Sequence, residues 1–271
     1  MSTNISVSNI AWNSSNDERI ADFLQRNGIK NIDIALGKYF KDVSAVGKED
    51  LRKIKKFWNS FGISLFGMQS LLFGTERMNL FGNSEIRSDM LSHLKKVANF
   101  ASILGIQFIT FGSPKNRDCS GLSSQEIMDK ALSFFWEFGN IAKEFDIKIC
   151  LEANPKIYSC NFLTATEDCF NFLLALNHPN VLLQLDTGTI IANGEKPKDF
   201  LNYSDLIGHI HLSKPYLSPW SLIETNLPSD LFFELNKLKR EVLTLEMISS
   251  SEALEEHEIA NSITFLKNHL A

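Results

Sequence analysis

His209-Ile210-His211-Leu212 ends an apolar run and alternates imidazole with aliphatic side chains. On a β-strand, successive side chains point to opposite faces, so both histidines share one face and both aliphatic residues share the other. Three more apolar runs each end in one carboxylate: Ile-Lys-Ile-Cys-Leu-Glu152, Val-Leu-Leu-Gln-Leu-Asp186 and Val-Leu-Thr-Leu-Glu246. Strands that all end in a metal-competent side chain predict one site at the carboxyl ends of a parallel barrel.

Strand patterns alternate with helix patterns along the chain. Strands are predicted at residues 5–12, 30–35, 63–70, 107–111, 148–152, 181–186, 206–212 and 242–246. Helical patterns follow them, with long ones at 84–104 and 123–145, a short one near 197–201 and a last one at 251–269. Eight alternating units favour an α/β fold, a (β/α)8 TIM barrel that forms a single domain over residues 1–271. The alternative is a doubly wound open sheet, but the chain has no glycine-rich nucleotide-binding motif after the first strand.

Composition excludes several classes of function. The 271 residues suit a one-domain barrel, and the net charge of -5 provides no basic field for nucleic acid. No run reaches the roughly 18 apolar residues of a membrane-spanning helix. The N-terminal sequence lacks the features of a signal peptide, and the four cysteines have no C-x-x-C spacing, which suits a reducing compartment. We therefore expect a cytoplasmic protein with a small-molecule partner, no nucleic acid and no membrane.

Strand pleating gives a second indication of a site inside the barrel. Two residues before each strand-terminal donor stands a small or polar residue, and the four are Cys150, Gln184, His209 and Thr244. Polar side chains in a barrel interior are costly unless they are paired or ligate something. Any one strand-terminal acid could equally cap a helix or anchor a loop, but the full set predicts a divalent metal site, made by Glu152, Asp186, His211 and Glu246. This oxygen-rich set favours Mn²⁺, with Mg²⁺, Co²⁺ and Zn²⁺ as alternatives.

Such a site suits proton transfer next to a carbonyl group. A divalent ion can chelate a ketone and its adjacent hydroxyl, and it stabilises the enediolate that forms when the α-proton is removed. Glu152 and Glu246 come from strands well apart in the barrel, so they could flank a substrate on opposite faces. We predict that these two glutamates are catalytic, one removing the proton and the other returning it.

Other polar residues near the predicted strand ends are expected to contact substrate. Lys115 and Arg117, in the loop after the fourth strand, could grip a phosphate or carboxylate group, or could pair with nearby acids and hold the loop. His209 suits a hydrogen-bonded interior position or a substrate contact. Position alone adds Gln69, Asn154 and Lys214 as substrate-binding residues, and Trp12, Tyr39 and Asn161 as wall residues. The apolar loop 71–83 is expected to form a lid or a packed wall.

The strand-end motifs resemble those of the xylose isomerase-like superfamily, and more narrowly its sugar phosphate isomerase/epimerase group, which includes ketose 3-epimerases. The resemblance spans essentially the whole chain and rests on Leu-Glu152, Leu-Asp186-Thr-Gly, His209-Ile-His211-Leu and Leu-Glu246. It implies a Glu/Asp/His/Glu metal centre whose two glutamates also move the proton, and a possible homodimer.

Two segments depart from ketose epimerases. Thr187-Gly188-Thr189 stands where a histidine usually follows the strand-six aspartate, and Ser213-Lys214-Pro215 replaces an acid followed by an arginine. The resemblance therefore does not identify the substrate.

The leading interpretation is a metal-dependent isomerase or epimerase of a small sugar or sugar phosphate. A dehydratase of a cyclic polyol would use the same proton abstraction. A barrel that binds a sugar or a partner protein without catalysis is another class. An apurinic-site endonuclease shares this barrel, but it needs more histidine and acid ligands than these strand ends supply.

Overall fold

The computed structural model describes residues 4–75, 77–221, 223–224 and 227–270. Eight parallel strands pair in sequence order, and β8 pairs with β1 to close the barrel. The strands are β1 (Asn4–Ser8), β2 (Asn31–Ala35), β3 (Ser64–Gln69), β4 (Phe108–Phe111), β5 (Lys148–Glu152), β6 (Val181–Asp186), β7 (Ile207–Leu212) and β8 (Val242–Leu245). The predicted (β/α)8 barrel is confirmed.

In the described ranges, eight α-helices follow the strands in alternation. They are α1 (Asp17–Arg26), α2 (Lys48–Ser60), α3 (Ser84–Leu104), α4 (Ser124–Glu144), α5 (Thr166–Leu176), α6 (Thr187–Asn193), α7 (Leu231–Lys237) and α8 (Glu255–His269). Within the described residues, no helix combines the length and apolar character needed to cross a membrane.

The pleat of the strands separates an aliphatic layer from a polar interior. The aliphatic residues Leu151, Leu185, Ile210 and Leu245 are buried, and so are the alternating positions Cys150, Gln184, His209 and Thr244. The polar members of the second set have partners inside the barrel: Thr110 Oγ1 donates to Gln184 Oε1 (3.1 Å), and Thr244 Oγ1 donates to a carboxylate of β2 (3.0 Å). Local alternation therefore placed these side chains correctly, because each strand contributes every second residue to the interior.

The first strand is shorter than predicted. It ends at Ser8, and Asn9–Ala11 forms a 3₁₀ turn in place of the predicted continuation to Trp12. The Ser8 hydroxyl accepts a hydrogen bond from Ile10 N, and Asn9 Oδ1 accepts one from Ala35 N. Short polar side chains that bond to nearby backbone compete with strand pairing, which explains the early end.

The sequence prediction also misplaced the helix that follows β6. The helix α6 begins at Thr187, directly after the strand, whereas residues 197–201 lie in a 3₁₀ segment, Pro197–Leu206. Asp186 Oδ1 accepts a hydrogen bond from Thr189 N at 2.7 Å, which caps the helix. A strand-terminal aspartate can thus start a helix at once, so no loop intervenes.

The segment after β3 forms a packed wall over one side of the barrel mouth. Leu71, Leu72, Leu80 and Phe81 are buried, whereas Phe73 is exposed. The segment has no helix or strand in its described part, which excludes residue 76. Its apolar side chains pack against the barrel, and this agrees with the packed-wall alternative.

Candidate metal centre

The four predicted ligands meet at the carboxyl end of the barrel. Donor atoms of Glu152, Asp186, His211 and Glu246 lie within 4.8 Å of one another. The register of the sheet brings them together, since Asp186 pairs with His211 across β6 and β7. Glu246 follows β8 directly, and its backbone N–H donates to Leu212 O at 3.2 Å.

His211 supplies the clearest indication that this cluster fits an ion. Its side chain is fully buried, yet Nδ1 has no hydrogen-bond partner among the described residues. Nδ1 lies 3.5 Å from Glu152 Oε1 and 3.3 Å from Glu246 Oε2. A buried nitrogen without a partner is costly, and one that faces carboxylates is suited to share a divalent ion with them.

The electrostatics of the cluster also favour a bound cation. Burial raises the pKa of Asp186, and the negative charges of Glu152 and Glu246 raise it further. For His211, burial lowers the pKa, but Glu246, Asp33 and Glu152 outweigh it and the net pKa is well above its ordinary value. The carboxylates repel one another and attract positive charge, so a divalent ion in their midst would relieve this repulsion.

Gln69 and Asn154 hold the two glutamates. Gln69 Nε2 donates to Glu246 Oε1 at 2.5 Å, and Ser8 Oγ donates to Gln69 Oε1 at 2.7 Å. Asn154 Nδ2 donates to Gly112 O at 2.7 Å and to Glu152 Oε2 at 3.3 Å. Both residues were predicted as substrate contacts, and the structure places each of them directly on a glutamate of the centre.

A cavity of about 430 Å³ opens above the cluster, on the side of β3 and β4. Its floor is formed by Glu152, His211 and Glu246, and its walls include Phe73, Phe111, Pro114, Gln69 and Lys115. Lys115 is exposed, and its ammonium group has no partner among the described residues. A small, partly apolar cavity with a metal-competent floor suits a small organic ligand.

The other side of the mouth, above β6 and β7, is closed. Thr187 Oγ1 donates to Ser213 O at 2.6 Å, and Gly188 N donates to Ser213 Oγ at 3.0 Å. A Cβ at Gly188 would lie 2.4 Å from Ser213 Oγ, so the start of α6 packs directly on the end of β7. These are the two segments that depart from the ketose epimerase pattern.

Three predicted substrate contacts lie away from the cavity. Arg117 is fully buried, and its guanidinium donates to Glu152 O (2.9 Å) and Gly112 O (3.3 Å). Arg117 therefore holds the loop, as the alternative interpretation expected, but it does so through backbone carbonyl oxygens and not through acids. Lys214 Nζ is occupied by Glu224 Oε1 (2.8 Å) and Pro219 O (3.2 Å). His209 lies beneath the cluster, deep in the barrel.

The predicted wall residues are also engaged elsewhere. Trp12 Nε1 donates to Asp17 Oδ1 at 2.7 Å, and Tyr39 OH accepts from Trp58 Nε1 at 3.2 Å. Asn161 Nδ2 donates to Asp118 Oδ1 at 2.6 Å. These side chains hold loops and helices together and do not line the cavity.

Sequence reasoning missed the roles of two residues beneath and beside the centre. Asp33, in the middle of β2, accepts a hydrogen bond from His209 Nε2 at 2.6 Å. Ser213 Oγ donates to Asp186 Oδ2 at 2.6 Å. The Asp33 position carried a visible indication, an acid between two isoleucines, whereas nothing in the sequence distinguished Ser213.

Asp33, His209 and His211 form a second group of potential ligands, but their geometry is that of hydrogen bonding. The 2.6 Å between His209 Nε2 and Asp33 Oδ2 is a direct contact and leaves no space for an ion between them. Burial opposes ionisation of Asp33, but His209 and His211 outweigh it and hold its pKa far below the ordinary value. Asp33 is therefore a buried carboxylate stabilised by its donors.

Comparison with known proteins identifies the family and the fold of this chain. A family model described as the xylose isomerase-like TIM barrel matches residues 21–269. No curated protein sequence matches the chain. Among solved structures, D-psicose 3-epimerase from Clostridium cellulolyticum H10 superposes with a TM-score of 0.79 at 13% identity, covering 99% of both chains.

Two further solved structures show the same fold. L-ribulose 3-epimerase has a TM-score of 0.79 at 15% identity, covering 99% of this chain and 94% of its own. The IolI protein, crystallised with a zinc atom, has a TM-score of 0.77 at 15% identity, covering 99% of this chain and 98% of its own. At these identities the likeness establishes a shared fold over the full length.

Proposed function

The chain belongs to the xylose isomerase-like TIM barrel family, and on this premise we propose that it is a divalent-metal-dependent isomerase or epimerase of a small sugar or sugar phosphate. The observation that carries the proposal is the buried, unpartnered Nδ1 of His211, which faces two carboxylates on the floor of a cavity. Two of the solved structures of this fold described above are named as sugar 3-epimerases, which supports the reaction class.

Glu152, Asp186, His211 and Glu246 would hold the ion. Three carboxylates and one imidazole favour Mn²⁺, and Mg²⁺, Co²⁺ and Zn²⁺ also accept such a set. When bound, the ion supplies Lewis-acid polarisation of a substrate carbonyl and offsets the negative charge that develops on its oxygen.

Proton transfer falls to Glu152 and Glu246. Their side chains are 15% and 12% exposed at the cavity floor, so each can reach a bound substrate. Asn154 and Gln69 fix one oxygen of each carboxylate, which leaves the other oxygen of each glutamate to face His211 and the cavity. One glutamate takes the proton from the carbon next to the carbonyl, and the other returns a proton from the opposite face.

The closed side above β6 and β7 constrains where the substrate lies. Because the start of α6 packs on Ser213, the open space lies above β3, β4 and β5. The substrate would therefore contact Phe73 and Lys115 in place of groups on the loops after β6 and β7. Lys115, on the cavity wall, would provide a cation for a phosphate or carboxylate of the substrate.

Metal content tests the proposal first. Purified protein and its Asp186→Ala variant are incubated with Mn²⁺, Co²⁺, Zn²⁺ or Mg²⁺, desalted and analysed for bound metal. We expect nearly one ion per chain in the wild type and much less in the variant. A wild-type protein that retains none of the four ions would contradict the proposed mechanism and would favour a non-catalytic binding barrel.

Solvent exchange then tests the reaction. The metal-loaded protein is incubated in deuterated water with a panel of ketoses and ketose phosphates, and deuterium at the carbon next to the carbonyl is measured. We expect exchange with at least one sugar, and loss of that exchange in Glu246→Gln with the fold retained. Release of water from a cyclic polyol without exchange into ketoses would instead indicate the dehydratase alternative.

A further inference from the structure

Both ring nitrogens of His211 have carboxylate neighbours. Nδ1 faces Glu152 and Glu246, and Nε2 lies 3.4 Å from Asp33 Oδ2. A histidine that ligates a metal through one ring nitrogen carries its proton on the other, and an acceptor at that second nitrogen fixes both tautomer and ring orientation. Asp33 stands at the position of this acceptor.

Asp33 is itself tightly fixed beneath the centre. Oδ2 accepts from His209 Nε2 at 2.6 Å, and Oδ1 accepts from Thr244 Oγ1 at 3.0 Å and from Ser6 Oγ at 3.3 Å. The side chain is completely buried and is not part of the cavity lining. Among the proposed ligands, Asp33 makes its hydrogen-bond contact with His211.

His209 is held as rigidly as the carboxylate that it contacts. Its ring packs edge-on against Phe66, with centroids 5.3 Å apart, and stacks on Phe108 at 5.9 Å. A donor confined between two aromatic rings has few alternative rotamers, so it fixes Asp33 Oδ2 in place. This contact also accounts for the position of His209 away from the cavity.

The chain leaves space for this carboxylate at Gly67. The register between β2 and β3 shifts after Ile32, so that Asp33 pairs with Gly67. A Cβ built on Gly67 would lie 2.4 Å from Asp33 Oδ2, which is closer than real carbon contacts. Glycine at this position allows Asp33 to lie flat against β3 and to reach His211.

We propose that Asp33 is the positioning residue of the metal centre, accepting the Nε2–H of His211 so that Nδ1 is presented to the ion. The inference deepens the proposed function and rests on its metal site. Two features support it: the three other donors that fix this buried carboxylate next to His211, and the glycine that makes room for it.

Replacement of the carboxylate by an amide tests this role directly. Asp33→Asn keeps the size of the side chain but weakens the acceptor and introduces a donor facing His211. We expect the Kd for Zn²⁺ and Mn²⁺, measured by calorimetry on the full-length protein, to rise about 10- to 100-fold. Asp17→Asn is the matched control. It makes the same change at the first residue of α1, where the carboxylate accepts a hydrogen bond from Trp12. The Kd of this variant should equal that of the wild type.

A second variant moves the carboxylate without changing its charge. Gly67→Ala places a methyl group against Asp33 Oδ2 and should weaken metal binding in the same direction. If Asp33→Asn does not fold, this variant decides the question. Nitrogen NMR of histidine-labelled, zinc-loaded protein adds a readout independent of affinity, since the wild type should show His211 ligated at Nδ1 and protonated at Nε2.

The outcomes separate this inference from the proposed function. Asp33→Asn and Gly67→Ala variants that bind zinc as tightly as the wild type, with an unchanged Nε2–H resonance, would overturn the positioning role alone. A wild-type protein that binds no ion would overturn the proposed function and this inference together. Weaker binding in both variants with an unchanged control supports the proposal.

Discussion

The carboxylate of Asp186 both caps a helix and belongs to the proposed metal centre. Its Oδ1 caps α6 through Thr189 N, and its Oδ2 accepts from Ser213 Oγ. A carboxylate with one fixed bond to each oxygen presents its remaining lone pairs in a defined direction, toward Glu152 and His211. The cap thus orients a proposed ligand, which links the start of a helix to the geometry of the centre.

Substitution can separate the helix-capping role of Asp186 from its role as a proposed metal ligand. In the presence of a chelator, Asp186→Asn should be more stable than Asp186→Ala by about 1 kcal/mol, because asparagine still caps the helix. Both variants remove the negative charge, so repulsion within the cluster cancels in the comparison. Urea denaturation of the two metal-free variants measures the difference, and equal stabilities would argue against the cap.

Lys115 provides a prediction about substrate charge. Lys115→Met should raise KM for a phosphorylated or carboxylated sugar about tenfold, equivalent to ~1.4 kcal/mol, and should leave KM for a neutral sugar unchanged. Lys156→Met is the control, since Lys156 is an exposed cation on the loop after β5 and is not part of the cavity lining. Equal effects on charged and neutral sugars would show that Lys115 does not contact an anion.

At the scale of elements, the connection between α5 and β6 packs a histidine against α4. A Cβ at Gly139 of α4 would lie 2.5 Å from His178 Nδ1, so the glycine permits close packing. Nδ1 accepts a hydrogen bond from Asn180 N at 3.1 Å, which requires a neutral ring. Burial lowers the pKa of His178 below its ordinary value, and Lys143 and Lys148 lower it further.

This lowered pKa predicts a loss of stability in mild acid. As the pH falls through the unfolded-state pKa of about 6.5, the unfolded chain gains a proton that the folded chain resists. His178→Gln removes the titrating imidazole and keeps a hydrogen-bond acceptor in the side chain. The stability of the wild type relative to this variant should therefore fall between pH 7.5 and pH 5, as measured by urea denaturation at several pH values. Parallel pH profiles would contradict the assignment.

At the scale of the whole molecule, the centre draws on strands from across the barrel. Glu152, Asp186 and His211 lie at the carboxyl ends of β5, β6 and β7, and Glu246 directly follows β8. Gln69 comes from β3, and Asp33 from β2. An ion bound by such a set connects distant parts of the chain, so its affinity contributes to global stability. The homodimer that the resemblance implies stays a prediction.

Metal should therefore stabilise the folded chain as a whole. At a free Mn²⁺ concentration of about 100 times Kd, the free energy of unfolding should rise by about 2.7 kcal/mol. Thermal unfolding with and without the ion measures the effect, and a chelator should reverse it. Asp186→Asn serves as the control and should show little change in Tm. A similar metal-dependent increase in that variant would place binding elsewhere.

The sequence by itself determined the barrel and the identity of the four clustered side chains. Both follow from local alternation, because Glu152, Asp186, His211 and Glu246 each lie at or next to the end of an apolar strand, and parallel strands in a closed barrel end at one mouth. The residues two positions before these four side chains point into the barrel interior by the same alternation. Such patterns are contained in consecutive residues and need no knowledge of the fold's register.

Only the tertiary structure decided what those side chains meet. Asp33 lies 176 residues from His209 in the chain, and their hydrogen bond depends on barrel closure and on the register shift opposite Gly67. The buried position of Arg117 and the closure above β6 likewise depend on how loops and helix starts pack. Such contacts depend on how segments that are distant in the chain pack against each other. The alternation of side chains along one strand does not predict them.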